Sequence, residues 1–231
     1  MKTIGMLGGM SWESSSLYYR LMNRAVQARL GGVHSAKALM YSFDFGEIEA
    51  LQAAGRWDDA TARMVRVGVS LAQGGADFLM ICCNTMHLMA EAVERAAGVP
   101  LLHIADPLGA AIRAQGFTRV GLLGSRHTCE KDGIVIGRLR ERFGIETVVP
   151  DEAGRREVHR IIVEELCRGE FLDAARRTHR RLIESLVAQG AQGVVLGCTE
   201  IPLLVGPEDA RVPLFDTTTL HALAAVDLAL A

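Results

Sequence analysis

Short apolar runs that end in glycine alternate with longer stretches of helical periodicity along most of the chain. The runs Ile4-Gly5-Met6-Leu7-Gly8, Phe78–Ile81, Val120-Gly121-Leu122-Leu123-Gly124 and Val194–Leu196 are too short for helices. Each is bounded by turn-forming residues, so each reads as a strand buried on both faces. Between them, Trp12–Leu30 repeats apolar residues at helical spacing and stops at Gly31-Gly32. The same spacing predicts helices over Trp57–Gln73, 129–143, 155–167 and 171–189. Two more, over 106–114 and Thr217–Leu230, follow short strands that begin at Pro100 and Pro213. Strand–helix alternation of this kind predicts an α/β fold with parallel sheets covered by helices.

The pattern occurs twice. Ile4-Gly5-Met6-Leu7-Gly8-Gly9 matches Val120-Gly121-Leu122-Leu123-Gly124-Ser125. Ser70-Leu71-Ala72-Gln73-Gly74, before Cys83-Asn84-Thr85, matches Ser185-Leu186-Val187-Ala188-Gln189-Gly190, before Cys198-Thr199-Glu200. Val99-Pro100-Leu101-Leu102 matches Val212-Pro213-Leu214-Phe215. Gly8 precedes Cys83 by 75 residues, and Gly124 precedes Cys198 by 74. Three matched pairs in one order predict two pseudo-symmetric flavodoxin-like lobes, with the site in the cleft between them. The expected N-terminal lobe covers 1–100 and carries Cys83. The expected C-terminal lobe covers 101–210 and carries Cys198, with the last strand and helix, 211–231, crossing back to the first lobe.

Composition narrows the function. Hydrophobic residues make up 49% of the 231 and charged residues 23%, enough for a packed core. A net charge of -2 and a pI near 6.4 give no electrostatic support for nucleic-acid binding. No apolar run reaches the roughly 20 residues of a membrane span, and no signal-peptide pattern opens the chain. Five cysteines without a CxxC pair argue against a disulfide framework or a zinc site. A reducing, cytoplasmic setting is expected.

Two of the five cysteines stand apart. Cys83 and Cys198 sit at equivalent strand ends, where ligands of parallel sheets bind. A cysteine there, at the start of a helix, is expected to have a lowered thiol pKa, and the helix amides and the hydroxyls of Thr85 and Thr199 are expected to hold a carboxylate. Two opposed thiols suit a reaction that removes a proton from one face of a carbon and returns one to the other. Cys82 points the opposite way along the strand and reads as packing. Cys167, on an amphipathic helix, and Cys129 also read as packing. His87, one turn after Cys83, is placed to orient the site or to pack. His103 and Asp106 are expected in the second lobe on the same rim, and Asp44 and Glu47 read as site or cap residues.

With these motifs in view, the sequence resembles the aspartate/glutamate racemase family, close to the bacterial amino-acid racemases specific for aspartate and glutamate. The matching pieces are Gly8-Gly9-Met10-Ser11-Trp12-Glu13, Gly31-Gly32-Val33-His34-Ser35, Cys83-Asn84-Thr85-Met86-His87, Gly197-Cys198-Thr199-Glu200 and Phe215-Asp216-Thr217-Thr218. The resemblance implies interconversion of L- and D-aspartate or glutamate without pyridoxal phosphate, other cofactor or metal, in a homodimer. It implies Cys83 and Cys198 as the catalytic acid/base pair, with Cys83 serving the D-enantiomer and Cys198 the L-enantiomer. Met10, Gln52, Asn84, Thr85, Thr199 and Glu200 become substrate contacts, with Ser11, His87, Ser125 and Thr128 in support. The partner for the substrate's side-chain carboxylate stays open among Arg56, Lys37, Arg126 and backbone amides. Hydantoin racemases, maleate isomerases and arylmalonate decarboxylases resemble the chain more distantly and remain alternatives. A non-catalytic dicarboxylate-binding protein is the third reading.

Overall fold

A computed structural model of the chain describes residues 1–129 and 134–231. Contacts divide it into two compact units, Met1–His103 with His221–Ala231, and Ile104–Leu220.

The first unit contains β1 (Ile4–Gly8), α1 (Trp12–Leu30), β2 (Ala38–Ser42), α2 (Phe45–Ala53), α3 (Trp57–Gln73), β3 (Phe78–Ile81), α4 (Ala90–Ala97) and β4 (Leu101–Leu102). Its sheet is parallel throughout, in the order β2-β1-β3-β4. The second unit contains α5 (Ala105–Ala114), β5 (Arg119–Leu123), α6 (Ile134–Phe143), β6 (Glu146–Val148), α7 (Glu152–Glu164), α8 (Asp173–Ala188), β7 (Val194–Leu196) and β8 (Leu214–Asp216). Its sheet runs β6-β5-β7-β8, also parallel. Adding four to each strand number of the first sheet gives the second, so the repeat read in the sequence is a repeat of topology. Helix α9 (Thr217–Leu230) begins in the second unit and ends in the first.

Strand alternation sorts the core. Leu7, Leu79 and Ile81 pack on one side of the first sheet with Ile48, Met64 and Val93 from α2, α3 and α4. Ile4, Met6, Phe78, Met80 and Cys82 pack on the other side with Tyr18, Met22 and Val26 of α1 and Ala222, Ala225 and Val226 of α9. Each large apolar side chain so buried contributes about 1.5–3 kcal/mol. The second sheet is built alike. Leu123, Val194 and Leu196 face α7 and α8, while Val120, Leu122 and Val195 face α5 and α6.

Three sequence expectations need correction. Strand β4 pairs with β3, so residues up to His103 belong with the first sheet and not with a lobe that starts at 101. Strand β8 pairs with β7 and stays in the second sheet, so of the final segment only His221–Ala231, most of α9, returns to the first unit. Two apolar residues suffice for β4 because the ladder register, not run length, fixes a strand. The helix expected over 129–143 is seen as α6 from Ile134. Cys129 lies in the preceding turn, and 130–133 fall outside the described residues.

Candidate active site

In the first unit, the carboxyl ends of β1 and β3 carry the sequence-predicted residues. Gly9 takes φ +86, and a Cβ there would lie 2.4 Å from the backbone N and O of Phe43, so glycine alone fits this turn. Its N–H donates to Ser15 Oγ (2.8 Å), whose hydroxyl donates to the Ser11 carbonyl (2.8 Å). Ser11 is the buried N-cap of α1. Met10 is buried in the apolar cluster that also holds Leu51 and Met86. Gln52, on α2, donates from Nε2 to Met86 Sδ (3.1 Å), which ties α2 to the segment after Cys83.

Cys83 lies two residues past β3. Cys82 is fully buried among Met6 and Met80, and burial drives its thiol pKa up. Cys83 is half-buried and packs against the opposite cluster. The two neighbours thus divide as alternation predicts, one into the core and one to the rim. The helix expected at Cys83 is instead a 3-10 turn, Thr85–Met89, and α4 starts only at Ala90. That short turn aligns few peptide dipoles, so the expected acidifying field is weaker. Asn84 is buried and Thr85 half-buried at the head of the turn.

Behind Cys83 stands a histidine cluster that the periodicity did not disclose. His87 Nδ1 lies 2.8 Å from the Cys83 carbonyl. Its ring is 4.5 Å from that of His103 and 5.7 Å from that of His221, centroid to centroid. His221 Nε2 meets the Leu102 carbonyl (2.9 Å), and its Nδ1 meets the Tyr18 hydroxyl (3.1 Å). All four side chains are buried. Burial above all, then His103 and His221, hold the His87 pKa well below the usual imidazole range. His103 therefore belongs to the first unit. Asp106 turns elsewhere, holding Arg138 at 2.6 and 2.7 Å and Arg142 at 3.1 Å. Asp44 caps α2 through the Gly46 N–H (3.0 Å), and Glu47 pairs with Arg63.

In the second unit, Cys198 lies two residues past β7. Gly197 N–H donates to the Leu123 carbonyl (2.7 Å), and a Cβ on Gly124 would lie 3.0 Å from the Gly197 carbonyl. These glycines bring the turn after β5 against the end of β7. In that turn Ser125 Oγ and Thr128 Oγ1 are hydrogen-bonded (3.1 Å). Cys129 Sγ faces the Gly124 carbonyl at 3.6 Å, and its thiol is pushed up to about 12, chiefly by burial. Cys167 packs half-buried against the core.

The Cys198 thiol donates to Glu200 Oε2 (2.9 Å), and the Thr199 hydroxyl donates to the same oxygen (3.0 Å). Glu200 is 2% exposed. Burial and the Glu200 carboxylate push the Cys198 pKa well up, and because the thiol keeps partial exposure the carboxylate is the more durable cause. This reverses the lowered pKa expected at this strand end. No α-helix follows; the next regular turn is the 3-10 segment Ile201–Leu203. It also gives Glu200 and the Thr199 proton a partner other than substrate. Of the three basic candidates, Arg56 pairs with Asp59 (2.7 Å), Lys37 is exposed, and Arg126 lies in the turn after β5. Arg126 lines a cavity of about 440 Å³ with Arg155 and His159. Among the described residues no cluster of three His, Cys, Asp or Glu is disposed to hold a metal ion. No helix among them is long and apolar enough to cross a membrane.

Residues 7–225 match the profile of the Asp/Glu/Hydantoin racemase family. The chain belongs to that family. A Yersinia pestis protein described as a candidate Asp/Glu racemase superposes on it with a TM-score of 0.91 at 51% identity, covering 100% of both chains. An aspartate racemase homologue from Pyrococcus horikoshii OT3 superposes with a TM-score of 0.84 at 30% identity, again over 100% of both chains. A glutamate racemase of Methylococcus capsulatus is 31% identical over 148 residues, which are 62% of this chain and 51% of that enzyme. The match thus spans about half the length of that curated relative.

Proposed function

We propose that this racemase interconverts the enantiomers of an acidic amino acid, aspartate or glutamate, by two-base proton transfer at Cα. The observation that carries the reading is the equivalence of Cys83 and Cys198, each two residues past the third strand of its own sheet. In the forward step one thiolate takes the Cα proton and the other thiol delivers its proton to the opposite face. The carbanionic transition state needs donors at the substrate α-carboxylate, where charge accumulates. Backbone amides of the Asn84–Thr85 and Cys198–Thr199 segments supply these, with Asn84 and Thr85 side chains in support. Glu200 serves the thiol, since its Oε2 accepts from Cys198 Sγ. Held by Glu200, Cys198 rests as the acid, and the free enzyme form so favoured is the one in which Cys83 is the base. By family resemblance that form takes the D-enantiomer. The same resemblance gives a homodimer that needs no cofactor, and the cysteine usage a cytoplasmic setting; the partner of the side-chain carboxylate stays among Arg56, Lys37, Arg126 and backbone amides.

Incubation of the reduced protein with L- and D-aspartate and L- and D-glutamate in D₂O, followed by proton NMR and circular dichroism, tests the reading. Loss of the Cα proton with loss of optical rotation is expected for at least one acid. A protein that binds both acids and exchanges neither is a binding protein, and the reading fails.

A further inference from the structure

We infer that His87 is the positioning residue for Cys83, fixing the catalytic strand end through a neutral imidazole clamped between His103 and His221. The inference rests on Cys83 being a base of the proposed reaction. The donor logic is forced by the partners. A carbonyl oxygen accepts only, so His221 Nε2 carries the proton given to Leu102, while its Nδ1 is hydrogen-bonded to the Tyr18 hydroxyl. By the same rule His87 Nδ1 carries a proton and donates it to the Cys83 carbonyl.

The His87 ring lies within 6 Å of those of His103 and His221, all three buried, and burial with these two neighbours disfavours a proton on it. The cluster therefore acts as a rigid wedge. It joins α1 through Tyr18, the segment after β4 through His103, α9 through His221 and the 3-10 turn through His87. These positions lie up to 203 residues apart in sequence, as for Tyr18 and His221. Cys83 has no long helix behind it to fix its backbone, because the segment that follows is a five-residue 3-10 turn. The His87 bond supplies that restraint. A displacement of about 1 Å at a reacting group costs about 10²-fold in rate, so a restraint on this carbonyl has a catalytic consequence.

Two variants separate positioning from packing. His87→Asn keeps an N–H donor near the place of Nδ1; His87→Leu keeps volume and removes the donor. In His87→Leu, kcat is expected to fall about 10²-fold with KM changed little, and His87→Asn is expected to recover most of that loss. The second readout needs no substrate. With Cys198→Ser as background, iodoacetamide labelling of Cys83 is followed by peptide mass spectrometry. His87→Leu is expected to change the labelling rate by about fivefold, the size of one lost hydrogen bond, and His87→Asn to restore it. Equal Cys83 labelling in all three proteins overturns the inference. So does equal loss in the Asn and Leu variants with native melting temperatures. If the wild-type protein exchanges no amino acid while labelling still follows the donor, the racemase reading fails and the positioning role stands.

Discussion

Replacing Glu200 by glutamine probes the asymmetry between the two thiols. The carboxylate oxygen sits 2.9 Å from Cys198 Sγ. Two unit charges at that separation repel by about 1.4 kcal/mol in water-like surroundings and by about 6 kcal/mol at an effective dielectric of 20. Cys198 keeps partial exposure, so the lower figure is the safer one. It still corresponds to about a tenfold rise in thiolate at fixed pH. Nucleophilicity falls as acidity rises, with a Brønsted slope of about 0.5, so the net gain in labelling rate is about threefold or more. The assay is iodoacetamide labelling of Cys198 at constant pH in a Cys83→Ser background, read by peptide mass spectrometry. Faster labelling in Glu200→Gln is the expected result. Labelling that is unchanged or slower refutes the claim that Glu200 holds the proton on Cys198.

Acid should destabilise the fold through its buried histidines. His87 and His179 both have pKa values lowered chiefly by burial, so the unfolded chain binds protons that the native one refuses. Their stabilising effect is complete above about pH 6.5 and is lost as pH falls through the lowered native values, at up to about 1.4 kcal/mol per pH unit for each. Melting temperatures measured from about pH 7.5 downward should decline, and a flat profile contradicts the neutral-cluster account. Gly9→Ala should lower stability by at least about 2 kcal/mol, from backbone strain and collision with Phe43. Gly98→Ala, in the left-handed region at φ 70 with open space around it, should lose only the strain of about 1 kcal/mol; equal melting temperatures for the two variants would sink the argument from the β1–α1 turn.

The sequence disclosed the architecture because buried parallel strands leave continuous apolar runs, and amphipathic helices such as α3, α7 and α8 leave a clear period. It disclosed the two rim cysteines because the repeat placed them. It missed α2 and β6, which are too short to establish a period, and it started the helix after Cys83 too early. The lobe boundary slipped because β4 has two residues and is defined by its pairing with β3. The Glu200 bond to Cys198 depends on the chain folding back within two residues, and the histidine cluster on side chains from positions 87, 103 and 221. Neither leaves a periodic trace. The expected helix dipoles at the cysteines failed for the same reason, since strand–Cys–Thr reads alike whether a long helix or a 3-10 turn follows.

The central claim is that two different thiols act on opposite faces of Cα. The most direct measurement is early-time isotope partition in D₂O, starting from the protiated L-enantiomer of the acid that turns over. Two bases predict deuterium in the newly formed D-enantiomer while the remaining L-enantiomer is still protiated. Deuterium appearing at equal rates in the substrate and product pools would mean that one base serves both faces, and would contradict the pairing of Cys83 with Cys198.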